Sequence, residues 1–273
     1  MRIRTEKTFI IFSMIGFILL AFIVLPLAKI IFSHDLPTLV DTLAMPGVRD
    51  AIWLSIYASL LTAIIACILG TPLAYVLARK NFRGKSLVEA IVDLPLAVPH
   101  TVVGIGLLMV FGRQQIIGGL FYDKFDFRFF GTLSGVILAM LFVSSPFMVN
   151  SAREGFESVN QRMEYAARTL GASQFEVFRR ISLPLARRGI VTGMILTWAR
   201  SISEFGAVYI LAYFVSFWDI RTMEPNIAMT APVLIADQFL QYGLERSSAI
   251  AAILLLVCLS LFVILRYLSG RQR

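Results

Sequence analysis

Residues 164–184 read EYAARTLGASQFEVFRRISLP, a polar, charge-rich segment set between two long apolar runs. Ala166, Ala167 and Leu170 fall at helical spacing, and Gly171 stands where a helix would stop. Ser173 and Glu176 make an S-x-x-E capping box that predicts a second helix, with Phe175, Phe178 and Ile181 on one face. Pro184 is expected just past the end of that helix. Two short helices at an angle, exposed between apolar segments, form a docking knob for a large soluble partner.

The surroundings of the knob say what kind of protein carries it. Of 273 residues, 58% are hydrophobic and 15% charged, with 22 Phe, which is outside the range of a soluble globular domain. Six apolar runs reach the roughly 20 residues a membrane-crossing helix needs. They are 9–32, 52–77, 87–111, 133–152, 190–213 and 248–268. The expected fold is an all-α integral membrane domain of six spans, a single unit over 1–273 with its core at about 52–268 and the knob between spans four and five. Little chain remains for a soluble domain, so soluble chemistry has to come from partner chains.

The formal charge of +8 raises nucleic acid as a partner, but the distribution of the 25 Lys and Arg answers that. With a cytoplasmic N-terminus, Arg2, Arg4 and Lys7, then Arg79, Lys80, Arg83 and Lys85, lie inside. So do Arg153, Arg162, Arg168, Arg179, Arg180, Arg187 and Arg188 around the knob, and Arg266, Arg271 and Arg273 at the end. This is the positive-inside rule, and it predicts a multi-pass plasma-membrane protein with both termini and the knob in the cytoplasm. No basic face is left over for nucleic acid. The first apolar run is too long for a signal peptide and lacks a small-residue cleavage site, so it is read as a retained span. Cys67 and Cys258 lie inside spans and read as packing residues. His34 and His100 have no ligand-spaced neighbours, and no metal site is expected.

Two stretches inside the spans are unusual. In the third, DLPLAVPHTVVGIGLL (93–108), Pro95 and Pro99 stand four apart ahead of Gly104 and Gly106. Bent helices of this kind suit either the lining of a pathway or plain packing kinks. In the fifth, TWARSISEFGAVYIL (197–211), Arg200 and Glu204 are one helical turn apart with Ser201 and Ser203 beside them, and Gly206 permits close approach of another helix. Charges at membrane depth face a protein interior or a wet cavity, so this group reads as a gate lining or as a static ion pair that locks helices. Outside the membrane, 214–247 is a long loop in which Thr230 is placed to cap an amphipathic segment bearing Val233, Phe239 and Tyr242. No enzyme site assembles. Arg83-Gly84-Lys85-Ser86 ends like a phosphate loop, but Arg79 occupies the position of its first glycine.

The spacing Ala166-Ala167, three residues, Gly171, nine residues, Ile181-Ser182-Leu183-Pro184 resembles the cytoplasmic EAA signature of the membrane subunits of type I ABC importers. Tyr165 takes the usual Glu position, with Glu164 just before it. The resemblance extends to the six-span layout. It implies that Glu164, Tyr165, Ala166, Ala167, Gly171, Ile181, Leu183 and Pro184 belong to coupling helices seated in a cleft of an ATPase subunit. Ser203-Glu204-Phe205-Gly206-Ala207 and Thr230-Ala231-Pro232-Val233-Leu234-Ile235 are similar to oxyanion permeases, most of all the molybdate/tungstate branch, with sulfate permeases sharing the Glu-Phe-Gly core.

The implied assembly has a homodimer of permease chains, two ATPase subunits that bind ATP and Mg, and an external solute-binding protein. No cofactor is expected on this chain. The readings that compete are a sulfate permease and an ATP-independent secondary transporter, the latter leaving the knob unexplained.

Overall fold

The computed structural model describes residues 7–270, so Arg2, Arg4, Arg271 and Arg273 of the charge argument lie outside the described residues. The chain is mostly helical. Helix α1 (Lys7–Phe32) is apolar all round and exposed along its length, touching α13 (Leu244–Gly270), which suits contact with lipid. A short α2 (Leu36–Ala44), started by the Asp35 side chain accepting from the Thr38 N–H, leads into α3 (Pro46–Arg79). At 34 residues α3 rises roughly 50 Å, well beyond a hydrocarbon core of about 30 Å, so its two ends reach the polar layers on both sides.

The core is built where α3, α7 (Leu133–Glu157) and α10 (Leu183–Ile202) pack side by side. Gly155 on α7 and Gly189 on α10 face each other there. A Cβ built on Gly189 would lie 2.6 Å from the Gly155 Cα and 2.6 Å from the Ser151 carbonyl oxygen. Association in lipid rests on such close van der Waals contact, because lipid tails are as apolar as the side chains they would replace. Polar groups back it up: Ser201 donates to Ser144 at 2.9 Å with both residues buried.

Among the described residues, four helices are long and apolar enough to cross a membrane, namely Phe9–Phe32, α3, α7 and Leu244–Ile264. The third expected span is not a continuous helix. It consists of α4 (Lys85–Ala97) and α5 (His100–Phe111), bent by 114° at Val98 and Pro99. The fifth is likewise interrupted, α10 ending at Ile202 and α11 covering only Gly206–Leu211. Proline presence alone did not locate these breaks. Pro26, Pro72, Pro95 and Pro146 all sit within helices, and the second break, at Ser203–Phe205, holds no proline.

The expectation of a purely helical chain needs one correction. Helix α6 (Ile116–Phe125) follows α5, and on the side where α3 begins the long loop after α11 folds into a hairpin of β1 (Val215–Asp219) and β2 (Glu224–Ala228), with Val215 opposite Ala228 and Asp219 opposite Glu224. Alternation within β1 buries Val215, Phe217 and Asp219 while Ser216 and Trp218 face out. A buried aspartate has to be paired. Arg221 supplies the pairing, donating to Asp219 Oδ2 at 2.8 Å and also to Asp50 at the start of α3. The Arg221 hydrogen bond holds the Asp219 carboxyl below the usual carboxylate range. Beyond the hairpin, α12 (Ala231–Tyr242) follows Thr230, whose hydroxyl makes no capping bond; Val233 is buried while Phe239 and Tyr242 are exposed.

The glycine contact between α7 and α10 is directly testable. Gly189→Ala is expected to lower the thermal unfolding midpoint of the purified chain, the overpacking costing about 1–3 kcal/mol. Gly106→Ala, which has nothing within 4 Å of the added methyl, is the control and does not lower the midpoint. An unchanged midpoint in Gly189→Ala would contradict the packing described.

Candidate functional site: a docking knob and a charged helix break

The knob forms from local signals. Helix α8 (Gln161–Thr169) starts where the Asn160 side chain accepts from the Arg162 N–H at 3.0 Å. It stops at Gly171, whose φ of +94° is the left-handed conformation that glycine adopts without strain. There the Gly171 N–H donates to the Arg168 carbonyl and the Ala172 N–H to the Ala167 carbonyl, closing the helix end. The capping box then starts α9 (Gln174–Val177): the Ser173 hydroxyl accepts from the Glu176 N–H, and the Glu176 carboxylate accepts from the Ser173 N–H at 2.9 Å. That backbone hydrogen bond lowers the Glu176 carboxyl below its ordinary range.

One expectation about the second helix is corrected. Helix α9 spans only four residues and continues through a π-helical turn, Phe178–Ser182, straight into α10. Pro184 therefore lies at the second position of α10, just after the π turn and inside one continuous helical run, not past the end of a separate helix. The apolar face divides as well. Phe178 inserts between Tyr75 of α3 and Phe156 of α7, at ring-centroid distances of 4.9 and 6.1 Å, whereas Phe175 is exposed and Ile181 half-buried. At the tip Leu170 is 88% exposed and Gly171 has open space around it, with Tyr165 and Phe175 exposed beside them. Ala166 faces solvent, Ala167 and Leu183 are half-buried, and Leu183 packs on the α3–α7–α10 core.

Glu164 does something else. It is buried and makes a bidentate pair with Arg79 at the end of α3, the Arg79 Nε lying 2.9 and 3.0 Å from its two oxygens. Ser182 of the π turn donates to Glu164 Oε1 at 2.8 Å, and Arg79 Nη2 donates to the Val159 carbonyl at 3.2 Å. The carboxylate thus ties the knob to both α3 and α10.

The two helix breaks meet each other. His100, the first residue of α5, lies against Gly206, the first residue of α11, so closely that a Cβ on Gly206 would be 2.9 Å from the His100 Cβ. Arg200 and Glu204 do pair, with Arg200 Nη2 2.8 Å from Glu204 Oε2. They do not share a helix face, because α10 has ended before Glu204. The other oxygen of Glu204 accepts from the Ala207 N–H at 2.9 Å, satisfying the start of α11. Pro99 and Ser203 are exposed at the breaks, Ser201 is buried against α7, and Pro95 is buried inside α4.

His100 was missed by sequence reasoning. Its Nδ1 lies 3.3 Å from Glu204 Oε2, and both of its ring nitrogens lie 3.0 Å from Arg200 Nη2. Its partners are a hundred residues away, so ligand spacing could not find it. The available signal was its position directly after Pro99.

A family described as binding-protein-dependent transport system inner membrane component matches residues 70–273. A molybdate/tungstate transport system permease protein of Thermococcus kodakarensis is 44% identical over 271 residues, covering 98% of this chain and 99% of that protein. A probable sulfate transport system permease protein of Helicosporidium is 36% identical, covering 80% of this chain and 77% of that protein. A chain of a bacterial alginate ABC transporter, solved in complex with an alginate pentasaccharide-bound periplasmic protein, has the same fold, with a TM-score of 0.73 at 18% identity over 98% of this chain and 96% of its own. With this family matching most of the chain, across α10 and both helix breaks, the chain belongs to the inner membrane components of binding-protein-dependent transport systems, the permease components of ABC transporters.

Proposed function

We propose that the chain is the permease subunit of an ATP-driven importer that moves molybdate or tungstate delivered by an external solute-binding protein. The observation that carries this is the knob: an apolar tip of Leu170, Tyr165 and Phe175, on a helix tied to the body by a buried ion pair. A partner ATPase, binding ATP and Mg, receives that tip in a surface cleft. The anion follows from similarity, since the relative named for molybdate and tungstate is more identical, and over more of the chain, than the one named for sulfate.

In this reading the bent pair α4 and α5 is one span, α10 with α11 is another, and six spans result. The basic residues around the knob put it and both termini in the cytoplasm. Two copies of the chain enclose the pathway, and the binding protein docks on the opposite side, over the hairpin and α6. ATP and the loaded binding protein both favour the outward-facing state, because a ligand shifts an equilibrium only by its differential affinity.

The chain provides a lever for that shift. Helix α10 runs unbroken from the π turn under the knob to Arg200 at the charged break. A push on Leu170 passes through the Glu164 network to α3 and α10 together, and α10 carries it to the breaks. Selectivity rests mainly with the binding protein, since a pathway that held its anion tightly would release it slowly.

The first test is calorimetry of the companion solute-binding protein. It is expected to bind molybdate and tungstate tightly and reject sulfate; tight sulfate binding would replace the anion and keep the machine. Gly171→Trp and Leu170→Glu should each abolish uptake while the chain still inserts in the membrane, and normal transport by either would remove the knob from coupling. Glu164→Gln leaves Arg79 buried without its counter-charge, a loss of about 3–5 kcal/mol, and should lower both thermal stability and ATP-driven uptake. Unaltered stability in that variant would contradict the role given to the pair.

A further inference from the structure

Three long helices begin or end at the membrane surface opposite the knob: α1 ends at Phe32, α3 begins at Pro46 and α13 begins at Leu244. Short α2 lies among them, with Leu36, Val40 and Leu43 exposed in one row and Thr42 buried. An apolar row at that level, next in the chain to the exposed α1, belongs in lipid. A crevice of about 200 Å³ opens here between α2, α3, α12 and α13. Val48, Leu234 and Ile250 give it an apolar wall, and Thr42, Gln238 and Arg246 are its polar residues. The Thr42 hydroxyl is already used, donating to the Thr38 carbonyl at 2.7 Å. The other two are not. Among the described residues the Gln238 side chain has no hydrogen-bond partner, and Arg246 has neither a hydrogen bond nor a carboxylate. Arg246 lies over the Tyr242 ring, 4.5 Å from its centroid, a contact that leaves its N–H groups unbonded.

We propose that this crevice binds one phospholipid of the leaflet opposite the knob, with its phosphodiester on Arg246 and Gln238 and the start of one hydrocarbon chain along Val48, Leu234 and Ile250. A guanidinium makes charge-assisted hydrogen bonds to phosphate oxygens, and the carboxamide of Gln238 adds a neutral donor. Basic residues in pockets between membrane helices select lipid headgroups in this way. No carboxylate lines the crevice to repel an anion. A free oxyanion, molybdate included, would meet the same two donors but leave the apolar wall without a partner. A lipid satisfies both, at the level where α1 and the α2 row already meet the bilayer. Its consequence is mechanical. Leu234 and Gln238 are on α12, which directly follows the hairpin, so the bound lipid ties α12 to α3 and α13. The site does not depend on which anion the chain transports.

The test uses the complete transporter, purified in detergent and stripped of lipid, with binding read by native mass spectrometry and by the thermal unfolding midpoint. Dioleoyl phosphatidylglycerol is expected to bind at one copy per permease chain and to raise the midpoint. Dioleoylglycerol, which has the chains without the phosphate, should do neither. Arg246→Gln should weaken phospholipid binding roughly tenfold, the effect of losing a hydrogen bond to a charged group. Gln238→Leu keeps the size and leaves the arginine, and should weaken it roughly fivefold. Lys29→Gln, near the end of α1 at the same surface but outside the crevice, is the control and leaves binding unchanged. Undiminished phospholipid affinity in either crevice variant, or equal binding of dioleoylglycerol, overturns the site. A midpoint raised by inorganic phosphate or molybdate but not by the phospholipid assigns the crevice to a free oxyanion and overturns the lipid.

Discussion

The pairing of Glu164 with Arg79 is the interaction on which the rest of the molecule's mechanics depends. A carboxylate this deeply buried is tolerated only when its lone pairs are met, and here they are met by three N–H and O–H contacts from two different elements. Those contacts hold α8 at one orientation to α3 and to the π turn that feeds α10. Without them the exposed tip would be a loop hung from a helix. With them it is fixed to α3 and, through the π turn, to α10.

The breaks in α4–α5 and α10–α11 show the opposite use of the same rule. Interrupting a helix inside a membrane protein frees backbone groups that lipid cannot satisfy, so broken helices persist only against protein or a wet cavity. At α11 the freed N–H of Ala207 is taken by Glu204, whose charge is in turn offset by Arg200. One carboxylate thus makes the break affordable and brings an arginine and a histidine to the same place. Close packing completes the junction, since Gly104 and Gly206 leave room for α5 and α11 to approach to backbone contact.

On the far side the hairpin is secured by the same kind of chemistry. Arg221 bridges Asp219 in the hairpin and Asp50 at the head of α3, and Asn226 donates to Asp50 as well. Helix α3 therefore carries an ionic anchor at each end, Asp50 toward the hairpin and Arg79 toward the knob. Its length lets a single helix link the hairpin with the knob.

Much of this was legible in the chain. The Ser173–Glu176 capping box and the stop at Gly171 are local signals, decided by spacing and backbone preference within a few residues, and both stand in the structure where the spacing put them, as do the four apolar runs that form continuous helices. The membrane character and the knob followed from them. Other features were not legible, because they depend on partners far away in sequence. Pro95 and Pro99 both marked a bend in the third run, but the break falls at Pro99 while Pro95, like Pro26, Pro72 and Pro146, rides inside a helix. Glu164 read as a neighbour of a motif and proved to be its anchor through Arg79, 85 residues away. His100 read as an isolated histidine and proved to be held by Arg200 and Glu204. The sequence by itself determined the membrane character, the capping box and the glycine stop of the knob, because those are set by composition and near neighbours. Tertiary structure alone decided which charges met and which helices broke, because a buried charge takes its partner from whatever the fold brings within about 3 Å.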